Sequence, residues 1–580
     1  MSPHSHSRLN PLFPVLRSSP VPKRKKKSVS ARPAPPEVEG PARGRLPDRK
    51  VALLILAAGL IVRLALAWQP FDFQLQYGPL VDDAFYSLNV ARHLARGEGP
   101  TCDGINFTNG FQPLYVFLMV PAYWVWPNDL MKPVYAATTL LALAATGAGW
   151  FLFRIARRQW GPGPAWFALG CYCLAPYFIF HSINGLETSL AALGWMAALD
   201  IYLGRIKPGG DRFRDRAALA AVLAALVFTR IDGGILAAAI ALDYLLRPAA
   251  GGRLMRERIA GISQVAALAL LLYAPWVVWN VAYFGSPLPM SGPAVRLLSQ
   301  MFGDTELTVK IAPFNPGHPP LLFYLGTFLY IFDVRIYGQI FFPSDLIFFL
   351  LVKTVEAFHL SARHMQYVCL ALFTAGLVWA RRVERNMDVL FIAAALMVGA
   401  YGFVIFGYWF FTRYLFPVEM CLLLLSAAVF SDLLRRIPRN MMPYILIGIG
   451  LIYGPLFYRT ARINLLDNRS DKMGSYHLIA RALDENIAPG ERIGAFQSGV
   501  IAYFSAHQVI NLDGVVNQGA YRALKDNRLP EYLADNNIAY VADYARILDR
   551  LLFQPLSPTE RESFQLVSPP NYSVRIYKRK

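Results

Sequence analysis

The sequence is short of charge, shorter still of acid, and holds almost no cysteine outside its apolar runs. Only 16% of its 580 residues are charged, with 38 Asp and Glu against 57 Lys and Arg, whereas soluble domains carry about a quarter charged residues. Cys171, Cys173, Cys369 and Cys421 all fall within apolar stretches, leaving Cys102 alone in a polar loop. No disulfide framework or zinc site is implied. No Walker loop or Gly-x-Gly-x-x-Gly fingerprint precedes a helix, so soluble-nucleotide chemistry has no visible home. What the chain has in excess is hydrophobicity: 55% of residues and a mean hydropathy of +0.35. Such a chain belongs in a bilayer.

The net charge of +19 does not point to nucleic acid, because the excess sits in one tail and in short loops between apolar segments, where it sets membrane orientation. Residues 1–49 hold Lys23-Arg24-Lys25-Lys26-Lys27 among Pro, Ser and Arg. That composition cannot bury enough apolar surface to fold, and it reads as a disordered basic cytosolic tail. The first apolar segment lacks a small-residue cleavage site and is expected to stay as an anchor.

A spanning helix needs about 20 mostly apolar residues. Such runs lie at 51–68, 132–153, 164–181, 187–204, 217–229, 233–246, 259–284, 365–380, 388–407, 414–434 and 441–458. Arg154, Arg157 and Arg158, then Arg205 and Lys207, then Arg253, Arg256 and Arg258, then Arg381 and Arg382, then Arg435 and Arg436 mark alternate loops as cytosolic. The opposite face then collects Asp82, Glu187, Arg230 to Asp232, Ser286 to Arg296, Arg413 and everything after Tyr458. Gln112 to Trp126 looks like a span, but counting it would invert every later loop; it is expected to be a short juxtamembrane or re-entrant helix. The runs 321–332 and 339–352 are either two spans or two surface helices, so the count is eleven to thirteen. The predicted fold is thus an α-helical polytopic membrane protein, with a membrane domain over 50–458, a first external loop over 69–131, and a small external α/β domain over 459–580. That last domain is read from short apolar strands at 492–496, 508–512 and 538–541 alternating with helical stretches.

The external face carries the residues with chemistry. Asp82 and Asp83 open a helix in which Phe85, Leu88, Ala91 and Ala95 form an apolar stripe and Gly97 a stop, a pattern that lays the helix on the membrane surface. Adjacent residues point about 100° apart, so both carboxylates cannot aim at one reacting atom. One suits catalysis; capping of the helix N-terminus accounts for the other, or for both. Arg230 and Asp232 interrupt apolar runs on both sides, where a central charge costs about 2.5 to 3.5 kcal/mol. They form either a structural ion pair or an anion site. Arg413, beside Tyr414 in an aromatic setting, is a second isolated arginine, and both offer the permanent charge that a phosphate needs. Tyr86, Asn109, Gln112, Glu187, Asp232, Ser291 and Asp513 complete the candidate substrate contacts. Two neighbouring carboxylates allow a divalent metal without requiring one.

These residues in this order resemble the GT-C superfamily of membrane glycosyltransferases, which includes protein mannosyltransferases, aminoarabinose transferases of lipid A and arabinofuranosyltransferases. The resemblance covers about residues 50 to 580 and rests on Asp82-Asp83-Ala84-Phe85-Tyr86, Thr108-Asn109-Gly110-Phe111-Gln112-Pro113-Leu114, Asn184-Gly185-Leu186-Glu187-Thr188, Arg230-Ile231-Asp232-Gly233, the Phe284 to Pro289 turn and Arg413-Tyr414. It implies an enzyme of the bacterial inner membrane that moves a sugar from a polyprenyl-phosphate donor to a hydroxyl of a lipid or cell-envelope glycan, with inversion. In that scheme Asp82, the first acid of the pair, is the favoured base, Asp83 orients it or binds a metal, and Arg230, Arg413 and Tyr414 hold the donor phosphate. A lipid or solute transporter is the rival class, but transporters favour internal repeats with broken helices at the midplane, and no repeat is visible. A non-catalytic assembly subunit would keep the fold without needing the acid.

Overall fold

The computed structural model describes residues 46–76, 78–209, 212–246, 254–302, 378–384, 386–401, 412–441, 471–568 and 574–580, with 375, 444 and 447 singly. Leu46–Lys580 forms one compact unit. The expected tail (up to Arg45), most of the predicted spans 365–380 and 441–458, the runs 321–332 and 339–352, and Tyr408 to Phe411 lie outside the described residues.

Helices dominate up to residue 436. Among the described residues Asp48–Ala67, Met131–Trp160, Met255–Phe284 and Arg413–Arg436 are long and apolar enough to cross a membrane, and Pro162–Leu174 with Pro176–Ser182 makes a fifth such unit bent by 60°. Gly161, with φ at +86°, lets the chain reverse between Trp160 and Pro162, a conformation that favours glycine. The predicted runs 187–204, 217–229, 233–246 and the first part of 388–407 are the helices Thr188–Ile201, Phe213–Thr229, Gly233–Leu246 and Asp388–Gly399, the first continuing as a π turn to Ile206. The polar turns at Asn184 to Glu187 and Arg230 to Asp232 bound the first three of them.

Arg63 explains how the bent unit holds together. Pro176 has no N–H to give the Tyr172 carbonyl, and the bend strips the next carbonyl too. The Arg63 guanidinium, 2% exposed, donates to Tyr172 O at 3.1 Å, Cys173 O at 3.1 Å, Gly59 O at 3.0 Å and Ser182 Oγ at 2.7 Å. A cation from one helix thus satisfies the break in another.

The helices run between two chemically distinct ends. At one, Arg157 pairs with Asp48, Arg154 and Arg158 with Asp200, Arg205 with Asp215, Lys207 with Asp243 and Arg381 with Asp388. These are the basic loops, gathered together. The 30-residue helix Met131–Trp160 carries the chain about 45 Å from there to Leu130, whose carbonyl accepts from Tyr503 of the C-terminal lobe at 2.7 Å. Glu187, Arg230, Tyr401 and Arg413 stand at that second end, at the far termini of their own helices from the basic loops. The alternation read from Lys and Arg is therefore the alternation of the fold.

The C-terminal lobe is a five-stranded sheet in the order β2-β1-β3-β5-β4, where β1 is Arg492–Ala495, β2 Gln508–Asn511, β3 Ile538–Tyr544, β4 Phe564–Leu566 and β5 Val574–Arg579. The three predicted strands are its parallel core, while β5 pairs antiparallel with β3 and β4. Phe496, Ile510, Leu512, Ile538 and Val541 pack with Leu548 and Leu552 over the sheet.

The first-loop helix, Asp82–Ala95, corrects one expectation. It is buried along almost its whole length, because its polar side faces the lobe rather than water. Asn89 Nδ2 donates to Gly499 O at 3.2 Å, and Arg92 donates to Tyr503 O at 3.0 Å and Ala502 O at 3.2 Å. The helix Pro113–Val125 lies beside it, with Ser87 Oγ donating to Gln112 at 3.3 Å and Trp124 Nε1 to Ala95 O at 3.2 Å. Both of its ends stay at the lobe side, as its re-entrant reading required.

Candidate active site

Asp82 and Asp83 diverge, as successive helical residues must. Asp82 is buried, and its carboxylate accepts from Gly499 N at 3.2 Å and Val500 N at 2.7 Å, the first amides of the lobe helix Gly499–Phe504. It caps a helix, but not its own: Val81 occupies that N-cap, with no side-chain bond. Asp543 does likewise for the residues just before that helix, accepting from Phe496 N and Gln497 N. Burial pushes the Asp82 carboxyl up to about 8, and those of Asp543 and Asp513 up to about 7.

Asp83 points the other way, is 42% exposed at its side chain, and forms an ion pair with Arg413, which is 9% exposed. The Arg413 guanidinium lies 5.3 Å from the centre of the Tyr414 ring, and Arg230 lies 5.3 Å from the same ring. Arg230 is heavily engaged: it reaches Glu187 Oε1 at 2.9 Å, Asp232 at 2.6 Å and Tyr401 Oη at 2.9 Å. Tyr401 also donates to Asp232 and stacks on Tyr414 with ring centres 5.4 Å apart. Three carboxylates thus surround two guanidiniums. Glu187 Oε2 is buried and has no hydrogen-bond partner among the described residues, an acceptor left open beside the engaged Oε1.

The remaining sequence candidates fall elsewhere. Tyr86 donates to Asp513 Oδ2 and Phe496 O, each at 3.2 Å, which fastens the first-loop helix to the lobe. Asn109 is fully buried; it donates to Asn280 Oδ1 at 3.1 Å and accepts from Met290 N at 3.0 Å, so it ties the polar turn to the end of the helix Met255–Phe284. Gln112 meets Ser87. Ser291 begins the helix Ser291–Phe302, away from the acid and arginine cluster. A metal pair at Asp82 and Asp83 does not fit this geometry: one carboxylate accepts from two N–H donors and the other faces a cation. Among the described residues no group of three His, Cys, Asp or Glu side chains converges on a metal position.

Sequence reasoning missed two members of this region. Tyr401 is one aromatic among many in an apolar run, and nothing local sets it apart. Glu419, fully buried, accepts from Tyr177, and its Oε2 has no partner among the described residues. A carboxylate inside the apolar run 414–434 is the signal that could have found it.

Helices that cross between two ends, an acidic first-loop helix clamped under an α/β lobe, and arginines at the same end define a polytopic membrane protein of the GT-C fold. Among solved structures the chain is similar to ArnT from Cupriavidus metallidurans bound to undecaprenyl phosphate, with 13% identity and a TM-score of 0.56 over 90% of this chain and 97% of that one. It is also similar to the Archaeoglobus fulgidus oligosaccharyltransferase tethered to an acceptor peptide, with 14% identity and a TM-score of 0.54 over 92% and 74% of the two chains. At these identities the likeness is one of fold. A family model described as a domain of unknown function, DUF8728, matches residues 464–577. No curated protein matches the sequence.

Proposed function

We propose that the chain is an inverting glycosyltransferase of the bacterial inner membrane, with its lobe on the external face, moving a sugar from a polyprenyl-phosphate donor to a hydroxyl of a lipid or envelope glycan. The observation that carries this reading is the half-exposed Asp83 carboxylate paired with the buried Arg413 at the lobe end of the bundle. The base role therefore moves from Asp82 to Asp83. Asp82 already accepts two backbone amides, while Asp83 is paired, among the described residues, with the exchangeable Arg413 side chain.

The chemistry follows from that exchange. A donor phosphate competes with Asp83 for Arg413, and the planar guanidinium suits either anion. Once displaced, Asp83 is a carboxylate open to an acceptor hydroxyl within hydrogen-bond reach. The hydroxyl proton passes to Asp83 as its oxygen bonds the anomeric carbon. The bond from that carbon to phosphate breaks, and its electron pair leaves on the phosphate oxygen, stabilised by Arg413. Arg230, held by Glu187 and Asp232, anchors the cluster and is not the primary phosphate ligand. The open Glu187 Oε2 accepts from a donor-sugar hydroxyl or amino group. Undecaprenyl phosphate is bound by the similar ArnT structure, which supports a lipid carrier of this type.

The test is transfer from polyprenyl-phosphate sugars by the purified chain, with Asp83→Asn and Asp82→Asn in parallel. Asp83→Asn is expected to lose at least a hundredfold in turnover, the lower range for a general base, with its unfolding midpoint unchanged. Asp82→Asn is expected to lower that midpoint and keep residual transfer. Full transfer by Asp83→Asn overturns the assignment, and the absence of transfer from every donor, with tight sugar uptake into vesicles, would favour a transporter.

A further inference from the structure

On the lobe side of the first loop, Ile105, Asn106 and Phe107 face Asn517, Gln518 and Gly519 across an open groove of about 350 Å3, within the range of small-molecule sites. No residue of the acid and arginine cluster lines it. Phe107 and Ile105 are 49% and 41% exposed, on a loop that is otherwise locked. Asp103 accepts from Ile105 N at 2.9 Å, Asn106 N at 2.7 Å, Asn106 Nδ2 at 2.7 Å and the Thr101 hydroxyl at 3.0 Å. Thr101 and Phe107 pair as an antiparallel bridge. The Phe107 ring lies so near Gly99 that a Cβ there would stand 3.0 Å from it. Two large apolar groups are therefore held in a fixed pose against water, where collapse onto the protein would bury them. Opposite, Asn517 caps the helix Gln518–Lys525 and is fixed by Asn511 O at 2.9 Å and Tyr532 Oη at 2.8 Å.

The lining has an unusual charge. In a chain with 57 Lys and Arg, none of the six lining residues is charged, so the groove offers no full positive charge to a phosphate or a carboxylate. Its chemistry is an aromatic face beside primary amides. That combination suits a neutral saccharide, whose ring has one C–H-rich face and a rim of hydroxyls that donate and accept. The aromatic face takes the C–H side, since its negative π cloud attracts positive hydrogen edges, and the amides of Asn106 and Gln518 serve the hydroxyls. The wall also connects to the candidate active site through one loop: after β2, Asp513 bonds Tyr86, Val515 presses on Gly110, and Asn517 reaches the groove.

From this geometry we propose that the groove is a binding subsite for a neutral saccharide unit of the acceptor glycan, remote from the reacting hydroxyl. The proposal rests on the transferase reading for the word acceptor, but the binding itself does not. The experiment is ligand-observed NMR on the purified full chain in detergent, with neutral disaccharides of mannose, glucose, galactose and arabinose as probes. At least one is expected to bind, with affinity reduced on the order of tenfold in Phe107→Ala and in Gln518→Ala and retained in Phe107→Tyr. Asp83→Asn, at the other site, is expected to leave binding intact, and unfolding midpoints guard against misfolded variants. No binding by any probe, equal binding by Phe107→Ala and Gln518→Ala, or loss in Asp83→Asn would each overturn the subsite. Groove-dependent binding by a chain with no transferase activity would retain the saccharide site and overturn the function proposed above.

Discussion

At the scale of single residues, two neighbouring carboxylates have been given opposite work by their surroundings. Asp82, Asp513 and Asp543 are buried acids between the first-loop helix and the lobe, with carboxyls raised from the ordinary 3.8 to about 7 or 8. Between about pH 4 and about 8 the folded state therefore binds more protons than the unfolded chain, and stability falls as pH rises through that window. Thermal unfolding is expected to show the highest midpoint on the acid side, a decline to about pH 8 and little change beyond. A midpoint rising with pH over the same interval would contradict the burial of these three groups. The arginines differ in the same way. Removing Arg230 leaves Glu187 and Asp232 buried without their cation, a loss of about 3–5 kcal/mol, so Arg230→Ala should first appear as a folding defect. Arg413→Ala takes the cation from the half-open Asp83, which water can reach, and its defect should appear as weakened binding of undecaprenyl phosphate, measured by competition, in a chain that still folds.

At the scale of elements, the first-loop helix and the lobe approach each other through glycines. A Cβ on Gly499 would lie 2.2 Å from the Asp82 carbonyl oxygen, and one on Gly110 would lie 2.0 Å from that of Val515. Neither backbone can yield cheaply, so Gly499→Ala and Gly110→Ala are expected to loosen the lobe and expose it to protease. Gly292→Ala, with nothing within 4 Å, is the matched control and should digest like the parent chain. Equal resistance in all three would show that the seam is not the holding contact. What was legible in the sequence follows the range of the interaction. Apolar runs, basic loops and the three parallel strands are local patterns, and they reappear as helices, as one ionic end and as the sheet core. The pairing of Asp83 with Arg413 spans 330 residues, so the sequence offered both partners without their contact. The two backbone amides on Asp82 were hidden in the sequence because no side-chain pattern reveals them. The lobe contacts of its helix were hidden for a related reason: Tyr86, Asn89 and Arg92 look solvent-directed until the lobe is in place. β4 and β5 escaped notice because one has three residues and the other carries Arg575, Lys578 and Arg579.

At the scale of the whole molecule, the two ends make a statement about sidedness that can be checked directly. In a background without the native cysteines, Arg212→Cys lies at the basic end and Arg481→Cys on the lobe. An impermeant thiol reagent added to intact cells is expected to label the second and spare the first. Labelling of both from one side would refute the threading. The short helices bear on the depth of the site. Gly233–Leu246 has 14 residues, about 21 Å, against a hydrocarbon core of about 30 Å. With its other end at the basic loops, that length places the Arg230 cluster within less than one hydrocarbon thickness of the basic end.

The contact between Asp82 and the amides of Gly499 and Val500 bridges 417 residues, and this gives the order of synthesis a meaning. During translation the acidic helix emerges early and waits for almost the whole chain before its cap exists. A ribosome that stalls or a message cut short before codon 500 yields a protein already threaded through the bilayer but with its acidic helix unseated. Such a fragment would carry Asp82 and Asp83 without the lobe that packs over them. Completion of the last fifth of the polypeptide is what seats the acidic helix.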